Sequence, residues 1–497
     1  MSHGDASFGE GRLPRKGLGG AIVLVALFAI GAVVEAWQLR SLQSPAVWGH
    51  LRAGVWMIEN HAIPRTALFS QSANLPWRDF SWGFDLIAGA MYKVVDLRAI
   101  PGLVMGFRVV LAVVLFLSAG GSRGSLWAAE ALTAVGLYAL STVGPVSTSA
   151  SVVLLGVELL VLTEWRRQPD LPVKAVLPVL FLVWANLDIG FVYGIAVLVI
   201  FVASVWVQPR AEGARAGSNG RRLGRIAALV LLGCVVVSGI TPYGYASYFA
   251  FWRAETSAAN PSIPGYAAMG FREVLDFVVL LVGMSAFLGM GLKRSRDVFL
   301  LALLGGTAAL AFHSERENWV LIVSAITVIG RMAAGSPGAL DLPNARRFDR
   351  QSIAVAASSL GLVVLAFFAI IPRDANVLLL KAGKTLPVKA CDYIRRSRLP
   401  KPIFNSYAWG AFLTWYLPDY PVAIDGRRGL YSEQTESDYF RVMRVDAPYQ
   451  SFPAMSDART ILLEKSNVVA GGLKNIAGFE TAYEDDVAIV LLQGAHP

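Results

Sequence analysis

The chain has 497 residues, of which 55% are apolar and only 16% charged, and its formal net charge is +9. A water-soluble enzyme of this length rarely has that balance, so the soluble classes are excluded. The basic residues sit in short loops between apolar runs, where they set membrane orientation; nucleic acid is excluded as a partner. Cys234 lies in an apolar run and Cys391 in the polar tail, which leaves neither an internal disulfide nor metal-site spacing.

Residues 1–17 are polar and carry Arg12, Arg15 and Lys16. They are expected to be cytoplasmic. The run at 18–39 reads as a retained first helix, because no small-residue cleavage site follows it. Further spans are expected at 100–119, 125–141, 147–163, 175–187, 190–207, 225–242, 273–291, 297–312, 318–334 and 351–371. Several are short for a bilayer and are expected to be tilted or partly shielded.

Charge parity decides the stretch Trp82–Val95. With eleven spans, the clusters at Arg12–Lys16, Arg123, Arg166/Arg167/Lys174, Arg210–Arg225, Lys293–Arg296 and Arg346–Arg350 all face the cytoplasm. A further span at 82–95 would move Arg166 and every later cluster outside. The stretch is therefore expected to lie in the outer interface as an amphipathic helix, with Trp82 and Tyr92 at headgroup level. The outer face then carries the loop 40–99, the turn Asn186–Gly190, the loop 243–272, the turn His313–Glu317 and the tail.

The tail, 373–497, is a different material from the polytopic region 18–372: polar, mixed in charge, and long enough for one small domain. LPVKACDYIRRS, Tyr407–Tyr416 and Ser432–Val445 read as helical. PIFN, PVAID, TILLEK and VAIVLLQ read as strands. The fold class expected is thus membrane all-α, about eleven transmembrane helices with interfacial helices in the first outer loop, plus a small C-terminal α/β extracytoplasmic domain.

The outer loops hold the polar and aromatic residues that apolar spans do not explain. In the first loop these include His50, Arg52, Asp79, Trp82 and Asp85. They read either as an interfacial belt or as the wall of a cavity for a lipid-linked substrate. Arg108, about two helical turns into the second span, is costly there unless it faces a polar cavity or snorkels outward. Asp188 lies near the outer end of a span, and Glu315, Arg316 and Glu317 cluster in one turn. Glu130 and Glu158 lie within spans and are expected to make helix-packing hydrogen bonds. Asp425-Gly426-Arg427 reads as turn chemistry or as an acceptor contact at a cavity mouth. Phosphate-loop, HExxH and catalytic-triad patterns are missing.

The stretch VWGHLRAGVWMIENHAIPRTALFSQSANLPWRDFSWGFD resembles the first outer loop of a large group of bacterial membrane proteins similar to GT-C superfamily glycosyltransferases. WANLDIGFVYG, TPYGYASYFAF, ERENWVL, FNSYAWGAFLTWYL, VAIDGRRGLYSE and AYEDDVAIVLL match the same group in the same order. The resemblance implies a multi-pass protein of the bacterial inner membrane. It implies transfer of a sugar from a polyprenyl-phosphate donor, a carboxylate base in the first outer loop, and an envelope glycan, lipid or protein as acceptor. On that basis Asp79 or Asp85 is the candidate catalytic base. Arg108 and Arg316 are candidates for the phosphate, and His50, Arg52, Trp82 and Asp188 for other substrate contacts. No organic cofactor is implied, no metal ligands are assigned, and the need for a divalent metal is open.

The sequence departs from the group where acidic residues are usual: it has Ala46 with Ser44, Ala67 and Ser81. Where relatives often show His after WAN, it has Asp188. The alternative is therefore a non-catalytic protein of the same fold that binds a lipid-linked glycan during envelope assembly.

Overall fold

The structure is a computed structural model that describes residues 38–120, 126–168, 172–211, 217–257, 260–263, 265–334, 350–427 and 429–494, with 25, 26, 29 and 31–36 of the first apolar run. The N-terminal segment 1–17 and the basic residues Arg123, Arg215, Arg346 and Arg347 lie outside the described residues.

Apolar runs become helices where their length predicts them. The expected spans coincide with Ala99–Ser118, Leu126–Ala139, Thr148–Arg167, Val176–Leu187, Phe191–Ala211 and Gly217–Ser238, then Val274–Leu292, Val298–His313, Asn318–Ala334 and Arg350–Ile370. By length and composition, three described stretches are long and apolar enough to cross a membrane: Trp82–Ser118, Thr148–Arg167 and Val274–Leu292. Ala357–Ile370 and Ala375–Ala382 form a pair bent by 90°, and Val176–Leu187, Phe191–Val207 and Val298–His313 are shorter apolar helices. The described helices thus reach the expected count of eleven only in part.

The short helices are sheltered inside the bundle. Phe181, Trp184, Phe201, Phe299 and Leu303 are fully buried in one apolar core, where Phe201 meets Phe299 edge-on at 5.4 Å between ring centres. Arg166 ties one helix end to another through two hydrogen bonds to Asp297, at 2.9 and 2.7 Å. Asp297 also caps its own helix by accepting from the Leu300 N–H. Glu158 departs from expectation. Both its carboxyl oxygens are buried without a hydrogen-bond partner. Its neighbour Trp184 already gives its indole N–H to Ser151, and Gly194 brings only backbone close to Glu158. Glu130 Oε1 is likewise unpartnered.

The stretch Trp82–Val95 is a helix of its own. Asp96, at φ 56°, ends it, and the chain restarts as Ala99–Ser118 after one short turn. This helix crosses Pro45–Asn60 at Gly54 and Gly89. A Cβ on Gly54 would overlap the Asp85 carbonyl, and one on Gly89 would lie 2.5 Å from the Gly54 carbonyl carbon. Glycine is required there because the two backbones touch.

The tail forms a four-stranded sheet in the order β1-β2-β4-β3, from β1 (Ile403–Asn405), β2 (Thr460–Glu464), β3 (Phe479–Glu484) and β4 (Ala488–Gln493). β1 runs parallel to β2 (Phe404 opposite Ile461), and β4 runs antiparallel to β2 (Val490 opposite Leu462). Alternation explains why β2 and β4 read as continuous apolar runs. Leu462 and Val490 enter a core shared with Leu51, Ile100, Ile394 and Phe412. Ile461, Leu463, Ile489 and Leu491 enter another, shared with Met57, Ala67 and Trp77. The sheet is covered on both faces, and the first outer loop contributes to both cores.

PVAID is not a strand of this sheet. Val422 instead makes an isolated parallel bridge with Ser70, through Gln71 N–H to Val422 O at 2.9 Å and Val422 N–H to Phe69 O at 3.0 Å. β3 was not expected, because FETAYE is a partly exposed edge strand with a polar sequence.

Arg427 reinforces the bridge. It chelates the buried Asp425, donates to Leu68 O at 2.8 Å and stacks on the Trp77 ring at 4.8 Å. Arg427→Ala leaves the Asp425 carboxylate without its cation and is expected to destabilise the protein by roughly 3–5 kcal/mol. Faster limited proteolysis within 380–494, at a temperature where the parent chain resists, checks this.

Candidate functional site

A cavity of about 520 Å³ opens between the first outer loop, the turns at Asp188 and Arg316, the helix Ala246–Glu255 and the C-terminal domain. Its walls come from segments distant in sequence, and it has two polar ends.

One end is built by the crossing of Pro45–Asn60 over Trp82–Val95. That contact brings His50 Nδ1 to 2.5 Å from Asp85 Oδ1. Phe84 meets the imidazole edge-on at 5.1 Å and fixes its plane. Asp79 lies just before the second helix. Its Oδ1 accepts from the backbone N–H and the hydroxyl of Ser81, both at 3.1 Å, a local turn that also prepares the helix start. The Asp79 N–H donates to the Tyr243 hydroxyl, which in turn donates to Pro64 O.

Asp79 and Asp85 are 3% and 2% exposed, and the two buried carboxyls face one another, close enough for Asp79, when protonated, to donate to Asp85. Burial, and then the neighbouring Asp85 carboxyl, hold the Asp79 pKa well above the ordinary carboxylate range. Enclosure by protein pushes His50 down, against the pull of Asp79 and Asp188. A carboxyl with a raised pKa, paired with a second carboxyl on a cavity wall, has the character of a general base.

Asp188 lies between the two ends, close enough to act on His50 and on Arg316 alike. Both its oxygens are engaged: Oδ1 accepts from Ser147 at 2.6 Å, and Oδ2 from Ser151 at 2.5 Å and the Gly190 N–H at 2.9 Å. It shapes the wall and sets its field rather than offering a free acceptor.

The other end carries Arg316. Its backbone N–H donates to Gly265 O at 2.8 Å, and its guanidinium stacks on Tyr266 at 4.8 Å. Its Nε is 3.7 Å from Glu317 Oε1, too long for a strong hydrogen bond. The cation therefore keeps donors for a ligand. Arg253, on the helix Ala246–Glu255, also reaches the cavity.

Of the residues singled out from the sequence, His50, Asp79, Asp85, Asp188 and Arg316 share this cavity. Arg108, Arg52 and Trp82 are not among the residues that line it. Arg108 instead faces Glu35 of the first apolar run at 3.7 Å and the Gly31 carbonyl at 3.5 Å. A buried carboxylate on the neighbouring segment gives this cation a closer partner than the cavity does. Arg52 stacks on Phe69 at 4.5 Å, and Trp82 donates its indole N–H to Asn186. Asp425 and Arg427 do reach the cavity from above, so the turn chemistry read from the sequence and a place at the mouth are both present. Tyr193, Arg253 and Tyr431 line it without having been singled out. No group of three or more His, Cys, Asp or Glu side chains suited to a metal ion occurs among the described residues.

No protein-family model and no curated protein matches the chain. Its structure is similar to ArnT from Cupriavidus metallidurans in the apo state, with a TM-score of 0.50 and 14% sequence identity, over 94% of this chain and 97% of that one. ArnT from the same organism bound to undecaprenyl phosphate gives a TM-score of 0.49 at the same identity and coverage. At that identity the likeness is one of fold: the chain shares the overall fold of ArnT over nearly the whole length of both.

Proposed function

We propose that the protein is a membrane glycosyltransferase that moves a sugar from a polyprenyl-phosphate donor onto an envelope glycan, lipid or protein at the outer face of the bacterial inner membrane. The observation that carries this reading is a single cavity with a buried, pKa-raised carboxyl at one end and an under-used guanidinium at the other. Asp79 takes the proton of the acceptor hydroxyl as its oxygen attacks the anomeric carbon. The bond from that carbon to the phosphate oxygen breaks, and Arg316 holds the charge that develops on the departing polyprenyl phosphate. Asp85 and His50 orient and tune Asp79. The lipid phosphate is already a good leaving group, so positioning and charge stabilisation suffice.

The topology that goes with this reading has a cytoplasmic N-terminus, about eleven spans, interfacial loop helices and the unit 373–497 outside. A reporter fused after Pro497 should be active only on the outer side; activity in the cytoplasm rejects the orientation.

Arg316→Ala in the purified full-length protein is expected to weaken binding of undecaprenyl phosphate by about 10–100-fold, the size of a charge-assisted contact. Unchanged binding rejects the phosphate assignment. Arg108→Ala, made away from the cavity, should leave that affinity unchanged.

A second reading keeps the binding and drops the chemistry. It is favoured by Ala46, which lines the cavity at a position where the resembling group is usually acidic. Binding of lipid-linked sugar without turnover, equal in parent and Asp79→Asn protein, selects it.

A further inference from the structure

The Arg316 end of the cavity holds two more buried polar atoms that the fold does not fully satisfy. Glu317 is 2% exposed, and its Oε2 has no hydrogen-bond partner of good geometry. Tyr193 is 8% exposed, and its hydroxyl has none either. The phenol and the carboxylate are neighbours joined only by a weak hydrogen bond of poor geometry, so each oxygen keeps capacity for a ligand. Both residues line the cavity.

Neither side chain is free to turn away. The Tyr193 ring is gripped edge-on by Phe251 at 5.0 Å and Trp319 at 5.7 Å. Glu317 is held by its Oε1 facing Arg316, and its N–H donates to Ser314 O in the same turn. A buried carboxylate and a buried phenol with only a weak contact between them leave hydrogen-bonding capacity unused. Their chemistry states what would complete them. A carboxylate oxygen only accepts, so it needs an O–H or N–H from the ligand, whereas a phenol can give or take. Neighbouring hydroxyls on a sugar ring supply that combination.

We propose that Glu317 and Tyr193 form a subsite for hydroxyl groups of the sugar that is joined to the lipid phosphate. This inference rests on the donor reading above, in which Arg316 takes the phosphate. Glu317 is adjacent to Arg316 in the chain and within 3.7 Å of its guanidinium. A ring one phosphoester bond from a phosphate at Arg316 therefore falls within reach of both atoms. The acceptor enters from the opposite end, beside Asp79, with Asp188 between. The subsite makes the enzyme recognise the donor by its sugar as well as by its phosphate.

The test uses full-length protein in detergent and two classes of probe: bare undecaprenyl phosphate, and undecaprenyl phosphate carrying a hexose, an N-acetylhexosamine or a pentose. The parent protein should bind at least one sugar-bearing form about tenfold more tightly than the bare lipid. Glu317→Gln and Tyr193→Phe, which preserve shape, should each reduce that preference several-fold, and the double variant should remove it. Tyr193→Phe should leave affinity for the bare lipid within twofold, and Glu317→Gln, which removes a carboxylate 3.7 Å from Arg316, should not weaken it; both results also report that the variants are folded. A preference that survives in the double variant overturns the subsite while leaving the donor reading intact, as does a parent protein that binds all forms equally. If the parent binds none of the lipids but binds a soluble oligosaccharide in a Glu317-dependent way, the hydroxyls belong to an acceptor and the donor assignment falls with it.

Discussion

Asp79→Asn is expected to lower the transfer rate by about 10²–10⁴-fold, the contribution typical of a positioned general base, while donor affinity stays near that of the parent. The amide keeps the shape that accepts from Ser81 but cannot take a proton. Asp85→Asn should also be severe, because it removes the partner of His50 and changes the field on Asp79. The pH dependence follows from the sign of the Asp79 shift. Burial and the Asp85 carboxyl raise its pKa, so Asp79 is protonated and idle at low pH, and the rate should climb as pH passes through that raised value. A rate that is flat with pH, or that falls as pH rises over this limb, removes Asp79 from the role of base.

Gly54→Leu should have the largest structural effect. The helices Pro45–Asn60 and Trp82–Val95 touch backbone to backbone at Gly54 and Gly89, so any side chain there forces them apart. Overpacking of this kind commonly costs about 1–3 kcal/mol, and here backbone rather than a flexible side chain opposes the new atoms. The same displacement separates His50 from Asp85, which now meet at 2.5 Å. Loss of thermal stability together with loss of activity is expected. Gly31→Ala, where a Cβ meets nothing within 4 Å, serves as the neutral control.

The apolar helices were legible because long apolar runs have few other fates. That Trp82–Val95 is helical was legible from its own pattern, and its separation from Ala99–Ser118 comes from the turn at Asp96. The tail was harder. TILLEK and VAIVLLQ announced themselves by apolar composition, but PVAID carries the same signal and pairs with the outer loop at Ser70. Composition reports that a segment is buried and extended; it does not name the partner. β3 was hidden for the opposite reason, since an edge strand needs few apolar residues.

At the site, Asp79, Asp85 and His50 were readable as polar residues out of place in an apolar protein. Arg108 satisfied the same test, yet Glu35 claims it. An unexplained charge in a span indicates that a partner exists, and the partner can be a neighbouring helix as readily as a substrate. Tyr193 carried no signal, because a tyrosine near a helix end is ordinary. Only the unfilled hydrogen bond of its hydroxyl marks it.

The bridge at Ser70 and Val422 joins residues 352 positions apart. The chain is made from its N-terminus, so the loop that carries Asp79 emerges long before the segment that roofs it. During synthesis the Asp79 end of the cavity stands open until the chain has grown a further 352 residues beyond Ser70. A message truncated anywhere before the codon for Val422 would yield a chain that inserts its early helices but never closes the pocket. Enclosure of the cavity thus depends on a segment made long after the loop that carries Asp79, and a chain that stops short of Val422 leaves that wall missing.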